Sequence, residues 1–161
     1  MAKLNPKPFF VLAVVVVIAI GGYFILGGDV KEEEQYYDFA SCLTENKVTK
    51  YGFDACPNCQ KQKHIIGVDA FKQNIDDAGL YVRCRPEEEA TKPIGDNLDK
   101  ISILSEYQDK VTAETTHGEL CALMVGTGTP TWVYNDKQVE GWQTIPELAE
   151  FSGCPLPEGF E

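Results

Sequence analysis

The chain has no second Cys-x-x-Cys motif, no histidine directly after the one it has, no internal repeat and no low-complexity tract. The first two absences each remove a class of site. A zinc ribbon needs two such pairs, and the remaining cysteines here stand far apart in sequence, which counts against a metal. Covalent haem attachment needs a histidine after the second cysteine, where Gln60 stands. Basic residues are scarce as well: 14 Lys and Arg against 25 Asp and Glu leave a net charge of −11. The first 28 residues hold two lysines and no acid, so the rest of the chain stands at −13. Such a surface repels nucleic acid and anionic lipid, and it keeps an exported domain soluble.

What is present begins with Phe9 to Leu26, an uncharged apolar run of 18 residues. At about 1.5 Å per residue it spans roughly 27 Å as a helix, close to the hydrocarbon thickness of a bilayer. Lys3 and Lys7 precede it, and Asp29 and Glu32-Glu33-Glu34 follow it. The positive-inside rule therefore places residues 1–8 in the cytoplasm, a transmembrane anchor at 9–26, a linker at 27–35, and everything beyond on the extracytoplasmic side, periplasmic or at the cell surface. A cleaved signal peptide is the rival reading. Its apolar region is usually shorter, and the small-x-small triplet Ala19-Ile20-Gly21 lies inside the run rather than after it. An uncleaved signal-anchor is expected; either reading delivers the domain to the same side.

All six cysteines, Cys42, Cys56, Cys59, Cys84, Cys121 and Cys154, follow the anchor. An even number in an exported domain points to disulfides, although many pairings are open. Cys56-Pro57-Asn58-Cys59 is the most informative segment. It follows a strand-like run, Val48 to Phe53, and opens a polar helical stretch to about Ile66. Cys56 then falls at the N-cap, facing free backbone N–H groups and the positive end of the helix dipole, both of which favour thiolate over thiol. Pro57 suits the first helical position, where its missing N–H costs nothing. The segment reads as a thiol–disulfide exchange site with Cys56 and Cys59 as its catalytic pair. No cofactor and no metal are expected.

Apolar spacing predicts a helix over Glu32–Asn46, with Tyr36, Phe39, Ala40 and Leu43 on one face. Further helix follows at 68–75, ending at Gly79, then a strand at Leu80–Cys84, a broken polar insertion over Arg85–Asn97, a helix at Leu98–Tyr107 and another around Glu119–Met124. Thr131–Tyr134 and Gln138–Trp142 read as a hairpin about Asn135-Asp136-Lys137. Thr144 caps a last helix, Ile145–Phe151, with Glu147 completing a capping box, and residues 155–161 form a frayed tail.

This order, strand, CxxC, helix, strand, helix, Thr-Pro, hairpin, helix, resembles the thioredoxin-like family. The segments Phe39-Ala40-Ser41-Cys42-Leu43-Thr44-Glu45, Tyr51 to Gln60, Thr129-Pro130-Thr131-Trp132 and Glu147 to Cys154 are most similar to the thioredoxin-like domains fused to, or paired with, bacterial vitamin K epoxide reductase homologues. The resemblance covers residues 36–154. It implies an α/β fold with a central mixed sheet of about four strands flanked by helices, here preceded by the N-terminal transmembrane helix. It also implies structural disulfides Cys42–Cys154 and Cys84–Cys121, and an active-site loop in which Pro57, Asn58, Thr129 and a cis Pro130 face the sulfurs. Three departures stand out. Ala55 replaces a usual Trp before the first cysteine, Lys50 stands where cytosolic thioredoxins bury an Asp, and the 85–109 region is longer than usual.

The expected mechanism has Cys56, exposed at the helix start, exchanging first, with Cys59 resolving the mixed disulfide. The resemblance favours oxidation of client dithiols, followed by reoxidation by a quinone-coupled, vitamin K epoxide reductase-like membrane partner. Reduction or isomerisation of clients, including reduction of apocytochrome c thiols, is the alternative. A non-catalytic, disulfide-stapled binding module is the third reading. His64, eight residues after Cys56, reads as a surface or packing residue, and Trp132 and Trp142 as hairpin packing.

Overall fold

The computed structural model describes residues 31–157 and 160, with side chains from Tyr36 onward. The expected cytoplasmic segment 1–8, the anchor 9–26 and the start of the linker lie outside the described residues. Helix α1 (Lys31–Glu45) begins within the expected linker. Phe39, Ala40 and Leu43 form its buried face, as their helical spacing dictates.

Strand β1 (Thr49–Phe53) lies at the centre of a four-stranded sheet of order β2-β1-β3-β4, where β2 is Tyr81–Arg85, β3 Thr131–Tyr134 and β4 Lys137–Glu140. β1 runs parallel to β2 and antiparallel to β3, so the sheet is mixed. The β3–β4 hairpin turns on Asn135 and Asp136, both at positive φ (45° and 60°), the geometry of a two-residue hairpin loop. The turn thus takes two residues rather than three, and β4 starts at Lys137 and ends before Gly141.

Alternation along β1 sends Lys50 and Gly52 to one face of the sheet and Thr49 and Tyr51 to the other. On the first face lie α2 (Pro57–Ile66), whose Cys59 approaches Gly52, α3 (Val68–Phe71), whose Phe71 meets Lys50, and the π-helical turn Lys72–Asp76, whose Asp76 pairs with Arg83 of β2. The second meets the segment around Ser102. There the backbone does not form the helix that the apolar spacing of Leu98–Tyr107 predicts; 3₁₀ turns occupy Gly95–Asn97 and Ser105–Lys110 instead. The physical reason is that tertiary partners hold Ser102 from three directions. Its N–H donates to Thr49 Oγ1 (2.6 Å), its hydroxyl to Lys47 O (2.7 Å), and its carbonyl accepts from Tyr51 Oη (2.8 Å).

The 85–97 region is not simply an exposed insertion. Short helix α4 (Glu87–Ala90) is solvent-facing, but Ile94 is buried and Pro93 bridges to Thr116. Helix α5 (His117–Met124) starts at Thr116 with a capping box to Glu119, and α6 (Ile145–Ser152) starts at Thr144 with the capping box to Glu147. The tail is not wholly free either, since Pro157 is buried and Phe160 meets Tyr36 edge-on. The α/β architecture, a mixed four-stranded sheet flanked by helices, fits a thioredoxin-like fold.

Candidate active site

Cys56 is the N-cap of α2, in extended backbone geometry (φ −75°, ψ 122°), with Pro57 in the first turn. Its sulfur accepts the Cys59 N–H at 3.3 Å, the bond a capping oxygen would ordinarily take. One turn along, Cys59 points back toward the sheet. Cys56 retains 5% of its surface and Cys59 none. The Cys56 sulfur is therefore far less open than a helix-start position suggests, because the loop carrying Thr129 and Pro130 closes over it. Ala55, Pro57 and Asn58 around it are exposed.

The Thr129–Pro130 peptide is cis. Thr129 meets Cys56 twice: its hydroxyl lies 3.3 Å from Sγ, and its carbonyl oxygen 3.5 Å. The two contacts suit two protonation states. A thiol donates to the carbonyl, whereas a thiolate accepts from the hydroxyl. Burial alone pushes the Cys56 thiol up. Hydrogen bonds from the Thr129 hydroxyl, from the Cys59 thiol and N–H, and from the Asn58 N–H outweigh it and hold Cys56 below the ordinary thiol range. Cys59 moves the other way. Burial raises it and so does the thiol's bond to Cys56, against a smaller opposing pull from the charge of Lys50. Two like groups pushed apart in this way have the properties that an entry nucleophile and a resolving thiol require.

Several residues that sequence reasoning did not place in the site also shape it. Gly52 lies under Cys59: a Cβ there would stand 2.7 Å from Cys59 Sγ. The signal was available, since an isolated glycine inside a strand marks a close approach. Gln62, fully buried on α2, donates to Gln143 O (3.0 Å) and accepts from Gln143 N (2.6 Å), which ties the CPNC helix to the loop before α6. At the rim, Lys63 and Arg83 share the Asp54 carboxylate at 2.5 and 3.3 Å. Lys50 is fully buried beneath the site.

Other expected residues lie elsewhere. Cys42 meets Cys154 (S–S 2.17 Å, Cα–Cα 5.9 Å), and Cys84 meets Cys121 (2.03 Å, 5.6 Å). Neither pair joins the CPNC sulfurs, which are unbridged. His64 is exposed. Trp132 is buried in the sheet, and Trp142 lies beneath the Lys61 ammonium, 3.3 Å from its ring centroid.

No protein-family profile matches the chain. A thiol-disulfide oxidoreductase of Arabidopsis thaliana, LTO1, is 28% identical to it over 113 residues, 69% of this chain. The chain spans 22% of that relative's length. The similarity supports a redox protein of thioredoxin-like type and leaves the direction of electron flow open.

Proposed function

We propose that this protein is a membrane-anchored, extracytoplasmic thiol–disulfide oxidoreductase that oxidises client dithiols through Cys56 and Cys59. The observation that carries the proposal is the pair of hydrogen bonds on Cys56 Sγ, from the Cys59 N–H and the Thr129 hydroxyl, at the start of α2. They stabilise the thiolate, which is both the attacking species and the better leaving group. A client thiolate attacks Cys56 Sγ of the Cys56–Cys59 disulfide, and Cys59 leaves. The client's second thiolate then attacks its own mixed-disulfide sulfur, and Cys56 departs as a thiolate. The client gains a disulfide, and both site cysteines finish reduced.

Stabilising the reduced form of a dithiol makes its disulfide the stronger oxidant, which favours oxidation over reduction. Reoxidation falls to a quinone-coupled membrane partner of the vitamin K epoxide reductase type. The similarity of the segments around Cys42, Cys56, Pro130 and Cys154 to domains that work with such enzymes supports this assignment. The apolar run 9–26, flanked by Lys3 and Lys7, supports anchoring with the domain outside.

The test is refolding of a reduced, unfolded client by the oxidised full chain. Wild type is expected to transfer its disulfide, and Cys56→Ser and Cys59→Ser, neither of which can form the Cys56–Cys59 bond, to transfer none. Unchanged transfer by Cys56→Ser would contradict the proposal. A reduction potential of about −120 mV agrees with an oxidant, and one of about −270 mV would reverse the direction.

A further inference from the structure

Among the described residues, three buried side-chain polar atoms have no hydrogen-bond partner: Lys50 Nζ, Tyr81 Oη and Trp132 Nε1. They form one row. Lys50 is paired with Tyr81 across β1 and β2, and with Trp132 across β1 and β3, so all three side chains leave the same face of the sheet. Gly52, two residues along β1, lies on that face, and the position of its absent Cβ is 2.7 Å from Cys59 Sγ and 3.8 Å from Tyr81 Cε2. The Cys59 sulfur and the lysine amine thus both lie near the Tyr81 ring under the CPNC helix. The amine is 4.1 Å from that ring's centroid and 4.7 Å from that of Phe71.

Two aromatic faces give a cation modest support. They do not replace water, and a buried ammonium without a carboxylate is unfavourable. Burial lowers Lys50 to about 8, with the Cys59 thiolate opposing the shift, Lys63 adding to it, and Asp54 and Cys56 opposing it. Of these neighbours, Asp54 is already held by Lys63 and Arg83. Burial pushes the Tyr81 phenol up, so it stays neutral. Cys56 is served by Thr129 and the α2 N–H groups. Cys59 is the group left whose charge can change together with that of Lys50.

We propose that Lys50 is the proton partner of Cys59, its amine taking the thiol proton when Cys59 attacks and its ammonium returning one when Cys59 leaves. In resolution, the Cys59 S–H proton passes to Lys50 Nζ, the thiolate attacks Cys56 Sγ of a mixed disulfide, and the Cys56–Cys59 bond forms. The bond between Cys56 and the client breaks, and the client departs with the electron pair as a thiolate. In client oxidation, the same steps run backwards. The amine/thiol and ammonium/thiolate states carry equal net charge, so the exchange needs no ion to cross the buried face. The inference deepens the redox reading above and depends on it.

Reduced full chain treated with one equivalent of a chromogenic aryl disulfide separates the two. The first aryl thiolate reports Cys56 attack, and the second reports resolution by Cys59. Absence of the first phase in wild type would defeat the redox reading itself. With the first phase present, Lys50→Met is expected to slow the second by about 100-fold near pH 8, where the Lys50 amine is populated, and to move its inflection to higher pH. Lys50→Arg, charged but unable to accept a proton, is expected to be slow as well. A Lys50→Met second phase with the wild-type rate and pH profile would overturn the proposal. Should that variant not fold, the Lys50 side-chain titration of wild type, read by NMR, decides. It is expected to move upward when the Cys56–Cys59 disulfide is reduced, and identical titrations in both redox states would overturn the proposal.

Discussion

Lys50 shows what a single side chain contributes beyond what its position in the sequence reveals. Read along the chain, Val48-Thr49-Lys50-Tyr51-Gly52-Phe53 marks a strand and places a cation where cytosolic thioredoxins have an acid, but it does not tell how deeply the amine is sealed. That depends on Phe71 and Tyr81 closing over it from other elements. The consequence is a pH-dependent stability. Burial depresses the folded-state value from 10.5 to about 8. Between those limits the unfolded chain binds more protons than the native one, so this group adds stability as pH rises and imposes its full penalty below about 8. The shift corresponds to roughly 3 kcal/mol. In urea titrations of the oxidised protein, Lys50→Met is expected to be more stable than wild type near pH 7, with the advantage shrinking toward pH 10. A difference that stays constant between those pH values would show the amine to be solvated. The cysteines were easier to read, since Cys-x-x-Cys at a helix start has few other uses, and Pro57 and Thr129-Pro130 declare themselves by type.

At the scale of elements, local rules held where local forces decide. The box Thr144 to Glu147 starts α6 at the expected residue, and the Asn-Asp turn sets the hairpin register. They failed where tertiary partners capture the backbone. The apolar positions of 98–107 carry helical spacing, yet Ser102 is claimed by Thr49, Lys47 and Tyr51. The meeting of β1 with α2 is the contact on which the site depends, and Gly52 permits it. Gly52→Ala would put a methyl group 2.7 Å from Cys59 Sγ, with the Pro130 Cα 3.8 Å away. The expected outcome is a loss of about 1–3 kcal/mol in thermal or urea unfolding, together with slower resolution by a displaced Cys59. Wild-type stability and resolution in that variant would mean that α2 can move off the strand.

For the molecule as a whole, the disulfides tie distant parts of the chain together. Cys42–Cys154 joins residues 112 apart and Cys84–Cys121 residues 37 apart. Chain entropy gives about 5 kcal/mol for the first and about 4 for the second, both upper values. Replacing Cys42 and Cys154 together by alanine is therefore expected to lower the urea midpoint more than replacing Cys84 and Cys121. Both double variants are expected to keep disulfide transfer at the CPNC site while folded. Loss of transfer in a folded Cys84→Ala/Cys121→Ala variant would instead make that pair an electron relay.

The most direct measurement is the pH dependence of alkylation of the reduced full chain, with the labelled cysteine located by mass spectrometry. Modification is expected first at Cys56, with a half-maximal rate below the ordinary thiol value of about 8.5, and at Cys59 slowly or not at all. Failure to label Cys56, or labelling that follows an unperturbed thiol, would contradict a redox role for the CPNC site.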